Sequence, residues 1–369
     1  MTGGVLPFYI GSYSIPSPWT GTPGAHGAGI TLALLDIGSG RMEAAGAHAE
    51  TNPSFLVPDN AAGRLWAITE PEHGGEVIAF RADGSAGLAV LGRHDTGADA
   101  PCHLTIDPSR HRAFASHYHG ASVTMLSLDA SGAPLATLQA VTPPERGRGL
   151  DRSAEQPRPH ASALVPGTDE LLVADCGRDM VLLYGIEAGA GSGQRLVLRD
   201  ALPLAPGTGP RHIAYHADLG LAFVSNQNTG GVSVVRRLAE GADARLEFVH
   251  EADSPGLGRG ESIPSEIALH PNGEVLYMAN RVDDSLSVYQ LASEEGDLGL
   301  LDCVDVRGRN PRHFALTPGA EALLVANQDS DQVTSFHVSD DGRNVEWTGE
   351  DLIVATPTCV AYWSPAWAR

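Results

Sequence analysis

Along the chain, short apolar runs rich in Val, Leu, Ala and Tyr alternate with turns carrying Gly, Pro and Asp. No window sustains an apolar period of about 3.6 residues long enough for a helix. The pattern predicts an all-β protein, and the runs recur. The stretches NPSFLVPDNAAGRLWAITE (52–70), APCHLTIDPSRHRAFASHYHGASVTMLSL (100–128), RPHASALVPGTDELLVADCGRDMVLLYGI (158–186), GPRHIAYHADLGLAFVSNQNTGGVSVVRR (209–237), IPSEIALHPNGEVLYMANRVDDSLSVYQL (263–291) and NPRHFALTPGAEALLVANQDSDQVTSFHV (310–338) repeat one plan at a spacing of about 50 residues.

In each repeat an apolar strand follows a Pro, a turn leads to a second strand ending in a polar cluster, and a Val-rich third strand precedes a more variable fourth. Four-stranded antiparallel units repeated around an axis make a β-propeller, which protects its sheet edges by radial repetition. The chain ends complete the count. PFYIGSY (7–13), AGITLALLD (28–36) and MEAAGAHAE (42–50) read as second to fourth strands lacking a first, and TPTCVAYW (356–363) as a first strand lacking the rest. The expectation is one seven-bladed propeller domain over residues 1–369, its closing blade shared by N- and C-terminal strands.

Composition agrees with many short strands, with 43 Gly and 25 Pro in 369 residues. The net charge of -21, with every fixed positive charge on Arg because the chain has no Lys, argues against a nucleic-acid or acidic-membrane partner. The opening segment has neither a basic start nor a long apolar run, so a cytoplasmic location is expected. Cys102, Cys176, Cys303 and Cys359 are scattered and read as buried free thiols.

In an antiparallel meander the start of the first strand and the end of the second lie at one edge. With the first strand innermost, every repeat delivers polar side chains to a common rim. The candidates there are His103, His117 and His119; His160 and Asp175; Arg211, His212, Asn226 and Gln227; Glu266 and Arg281; Arg312, His313, Asn327 and Gln328. Arginines with histidines and a carboxylate in a concave site suit an anionic ligand and proton transfer. The histidines that follow Arg, His212 and His313, are read as structural, and the three arginines as functional. Asp283, Asp284, Asp329 and Asp331 fall in turns, where Asx hydrogen bonds account for them. His117 and His119 would share one side of a continuing strand, but no third ligand accompanies them and no metal site is expected. Nucleophile-elbow, P-loop and dinucleotide motifs are absent.

The repeats between 158 and 338 resemble the lactonase family of seven-bladed propellers, which includes the propeller type of 6-phosphogluconolactonase and 3-carboxy-cis,cis-muconate cyclase. The resemblance spans nearly the whole chain. It implies that His160, Arg211, Glu266 and Arg281 are catalytic. His103, Asp175, Asn226, Gln227, Arg312, Asn327 and Gln328 are then the substrate-binding set. The implied reaction is hydrolysis of a small anionic sugar lactone or sugar acid derivative of the 6-phosphogluconolactone type. His160 or Glu266 would serve as base, Arg211 and Arg281 would meet the oxyanion, Arg312 would hold the anion, and no cofactor is called for. A muconate cycloisomerase and a non-catalytic metabolite- or protein-binding propeller are the alternatives. One departure stands out: where many members carry Asn-Glu, this chain has Asn226-Gln227, and an amide cannot exchange a proton as a carboxylate does.

Overall fold

The computed structural model describes residues 4–16, 24–82, 87–145, 156–189 and 193–363. Its strands form seven four-stranded antiparallel sheets. Numbered from the first complete sheet, the blades begin with inner strands Pro53–Asp59, Pro101–Asp107, Pro159–Leu164, Pro210–His216, Pro264–Leu269 and Pro311–Leu316. Blade 7 begins with Pro357–Tyr362. That last strand pairs antiparallel with Val5–Ser12, matching Phe8 to Tyr362 and Ile10 to Val360, so the two termini close the ring in one blade. Pairing them removes two free sheet edges.

The second and third strands of each blade are buried on both faces and read as near-continuous apolar runs, whereas the fourth strands alternate or lie largely open. Seven apolar clusters fill the seven interfaces between neighbouring blades. One packs Phe8, Ile10 and Val360 of blade 7 on Leu324 and Val333 of blade 6, and another packs Tyr9, Leu32 and Trp363 on Leu65 and Phe80 of blade 1. Each blade is thus held by both neighbours around a closed ring.

The turn aspartates do more than stabilise their own turns. Asp283 accepts from the backbone N–H groups of Leu257 and Arg259, Asp284 from Asn310, and Asp331 from Thr356. They pin the loops that lead into inner strands, which replaces the local Asx reading with an interblade one. The Asp329 carboxylate accepts from its neighbour Gln328 at 3.1 Å, and its backbone carbonyl from Arg309 Nη2 at 2.9 Å.

Candidate active site

A single backbone device repeats seven times around the channel. In every blade the Pro that opens the inner strand pairs with the last residue of the second strand, as in Pro101 with His117 and Pro210 with Asn226. The next residue then donates its N–H to the carbonyl just before the Pro: Tyr13 to Thr356, Glu70 to Asn52, Tyr118 to Ala100, Cys176 to Arg158, Gln227 to Gly209, Arg281 to Ile263 and Gln328 to Asn310. This set of seven side chains forms the rim. Five of the accepting residues, Asn52, Ala100, Gly209, Asn310 and Thr356, have φ between 43° and 62°, a left-handed kink that aims the carbonyl at the rim.

Directly after the Pro, the register shifts in every complete blade. Such a bulge re-aims side chains, so two successive residues of an inner strand reach one cavity where a regular strand would send them to opposite faces. Arg211 with His212 and Arg312 with His313 are the cases that matter. The second member of each pair joins Phe55, His103 and Glu266 in a deeper ring. There the ring centroids of Phe55 and His103 lie 4.4 Å apart, and those of His103 and His212 5.3 Å.

At the rim, the side-chain oxygen of Gln227 accepts from Arg211 Nη1 at 2.8 Å and from Arg281 Nη2 at 2.9 Å. Arg211 Nη1 also donates to His160 Nε2 at 2.5 Å. Among the described residues, both arginines keep a buried Nε with no partner. Across the channel, Arg312 Nη2 donates to the Tyr13 hydroxyl at 2.6 Å, and Tyr13 donates to Glu70 Oε2 at 2.8 Å. Deeper, Glu266 Oε2 accepts from His212 Nδ1 at 3.0 Å, and His313 Nε2 stands within ion-pair distance of it at 3.2 Å.

Charge is unevenly balanced. Burial and then the neighbouring Arg312 pull Arg211 down to about 10, still cationic at neutral pH. Burial, Arg211 and Arg312 pull Arg281 well below the ordinary arginine range. Burial opposes Arg312 as well, but Tyr13 and Glu70 outweigh it and hold that arginine above its usual value. Arg312 therefore has its counter-charge in contact, while the side chains that Arg211 and Arg281 bond among the described residues, Gln227 and His160, are neutral, with Glu266 a lesser influence on Arg211. Burial, followed by Arg211, His212, Arg312 and Arg281, keeps His160 neutral, well below 6.5.

The structure brings His103, His160, Arg211, Gln227, Glu266, Arg281, Arg312 and Gln328 to one end of the channel, where Arg312 Nη1 lies 3.3 Å from Gln328 Oε1. It places three expected binding residues elsewhere. Asn226 bonds Glu251 and Ser233, Asn327 bonds Thr334, and Asp175 accepts from the backbone of Arg158 and Gly177. Each is the last residue of its second strand and points into its own blade, one position short of the rim. Burial raises Asp175 to about 6. His117 is bonded to the Ser122 carbonyl, and the strand ends there, so His119 does not continue its face. Sequence reasoning did not single out Tyr13 and Glu70 and took His212 and His313 as structural. Glu70 was findable, since AITE (67–70) ends at the repeat position where VSNQ (224–227) has Gln227.

A cavity of about 690 Å³ opens beside the rim, lined by Gln227, Arg281, Asp284, Arg309 and Asp329 among others. Gln227 and Arg281 are the rim residues in its lining. A seven-bladed propeller whose channel mouth gathers two arginines bonded to neutral side chains, a carboxylate–histidine group and a polar cavity defines a class of anion-receiving, proton-handling site.

The profile of the lactonase, 7-bladed β-propeller family matches residues 7–362. The chain belongs to that family, and it is a lactonase-type hydrolase. It is 25% identical over 354 residues to a 6-phosphogluconolactonase of Formosa agariphila, covering 94% of this chain and 96% of that one. It is 24% identical over 312 residues to a 6-phosphogluconolactonase of Bacillus subtilis, covering 84% and 87%. The structure of a periplasmic gluconolactonase from Pseudomonas aeruginosa superposes with a TM-score of 0.85 at 24% identity, covering 98% and 99%, a likeness of fold. Among the described residues no helix is long and apolar enough to cross a membrane.

Proposed function

We propose that this propeller opens an anionic sugar lactone of the 6-phosphogluconolactone type, with activated water as nucleophile. The observation that carries the reading is the Arg211–Gln227–Arg281 arrangement: two buried cations held on one neutral amide, with Gln227 and Arg281 lining the cavity and Arg211 directly behind them, in a protein of net charge -21. Such cations suit the negative charge of a ligand and the oxyanion that develops as water adds to the carbonyl. Arg211, deeper and steadied by His160, is assigned to the oxyanion. Arg281, which lines the cavity, is assigned to the phosphate or carboxylate. Arg312 is tied to Tyr13 and Glu70 and serves as a wall of the site.

The family's named relatives support the substrate class, and the absent carboxylate at Gln227 does not count against it, since the amide holds both arginines. The four unpaired cysteines suit a reducing, cytoplasmic compartment. We take residues 1–369 to act as one domain.

Arg281→Met separates the two arginine roles. The expected result is a rise in KM for the 6-phosphate of glucono-δ-lactone with little change for the neutral lactone. An equal effect on both would remove the anion role from Arg281.

A further inference from the structure

Opening a lactone requires a group with a free lone pair beside the attacking water, and counting lone pairs leaves few. His160 has none to spare, because Nε2 accepts from Arg211 and Nδ1 faces Cys102 Sγ at 3.8 Å. Glu266 Oε2 already accepts from His212 Nδ1 and has His313 Nε2 at 3.2 Å, and Oε1 accepts from the Ile267 N–H at 3.3 Å. His313 Nδ1 accepts from the Val360 N–H at 3.4 Å, which puts the ring proton on Nε2, 3.2 Å from Glu266 Oε2. His212 differs. Its Nδ1 donates to Glu266, which leaves Nε2 as the unprotonated nitrogen. Nε2 makes no hydrogen bond among the described residues and is not one of the sealed, unpartnered atoms. The ring stands 5.3 Å from that of His160, on the residue next to Arg211.

We propose that His212 Nε2 is the general base of the hydrolysis and that Glu266 is the positioning residue that fixes its tautomer, an inference resting on the lactone-opening reading above. A water O–H proton passes to Nε2 as its oxygen bonds to the carbonyl carbon, and the carbonyl π pair moves to the oxygen facing Arg211. Collapse of that adduct breaks the ring C–O bond, and the leaving alkoxide takes the proton back from Nε2. No other reactant is needed. Glu266 stabilises the transient imidazolium, offsetting Arg211, Arg281 and Arg312, while the neighbouring His103 and His313 add no charge. Burial, with those three arginines, keeps the resting ring neutral well below pH 6.5, and burial is the first cause of the low values of His103 and His313.

Glu266 also ties together the inner strands of blades 4, 5 and 6, so the test must separate a clasp from a positioning group. Long-range proton–nitrogen correlation NMR on the intact protein should find His212 protonated at Nδ1 and bare at Nε2. The opposite tautomer overturns the base assignment whatever the turnover. A wild type that opens neither glucono-δ-lactone nor its 6-phosphate instead overturns the hydrolysis reading, and the base role with it. In an active protein, His212→Asn and Glu266→Gln should each lower kcat by roughly 10²–10⁴-fold with KM nearly unchanged. Glu266→Asp should recover part of the loss. A Glu266→Gln protein with lowered Tm but intact kcat would make Glu266 a clasp only. Loss of kcat in Glu70→Gln together with an unaffected His212→Asn would move the base to the far wall and end the proposal.

Discussion

Gln227 shows how far one side chain sets the character of the site. Its single carbonyl oxygen receives N–H groups from Arg211 and Arg281, so it spaces two cations without neutralising them. Gln227→Glu would supply the missing negative charge. The expected outcome is a KM for an anionic lactone raised by roughly 10- to 100-fold, from one added charge a few ångströms from the ligand, with no gain in kcat. A large rise in kcat would restore the family carboxylate to a proton-transfer role. Tyr13 is the matching test on the far wall. Tyr13→Phe strips Glu70 of the hydroxyl donor that it has among the described residues, leaving the arginine 3.9 Å away, and should cost about 2 kcal/mol in denaturant unfolding. Arg211, Arg281 and Arg312 were legible in the sequence because nothing in a repeating strand requires arginine at three matching edges. His212 was not, because alternation sends the neighbour of an inward arginine to the other face, and the bulge that cancels alternation leaves no mark in composition.

At the level of the strand, the Pro that starts each inner strand and the shift of register behind it decide what reaches the channel. The repeat of Pro, turn and polar cluster was enough to place blades and strand order. It was not enough to rank residues within the polar cluster. Asp175, Asn226 and Asn327 look like rim residues in the sequence, yet each is the last paired residue of its strand and is consumed by bonds inside its own blade. Close approach between blades is equally demanding. A Cβ on Gly11 would stand 2.2 Å from the carbonyl oxygen of Pro53 in the next blade. Gly11→Ala should therefore push blades 7 and 1 apart and cost about 1–3 kcal/mol, measured as a lower midpoint in chemical unfolding. An unchanged midpoint would show that this interface yields.

For the whole molecule, closure and electrostatics are the two collective properties. Ending the chain at residue 355 removes the inner strand that pairs with Val5–Ser12 and exposes the apolar faces of blades 6 and 1, so the cooperative thermal transition should be lost. The channel histidines give a second handle. Burial first holds His103 to about 3, His313 to about 4 against the pull of Glu266, and, with the channel arginines, His160 and His212 well below 6.5. Each is neutral when folded but titrates near 6.5 when unfolded, so the unfolded chain binds more protons in acid. Their contribution is complete above pH 6.5 and falls by about 1.4 kcal/mol per pH unit for each histidine below it. Calorimetry from pH 6.5 down to the range of those folded values should show Tm dropping steadily, and His313→Asn should flatten the slope. The cationic channel mouth in an otherwise acidic ring is the central feature of the account, and turnover tests it most directly. Purified protein should be given glucono-δ-lactone and its 6-phosphate, with ring opening followed by proton release. The account predicts opening of both well above the buffer rate, with kcat/KM for the phosphate higher by roughly tenfold or more, the value of one added charge contact. Opening of neither, or no preference for the anionic lactone, would contradict it.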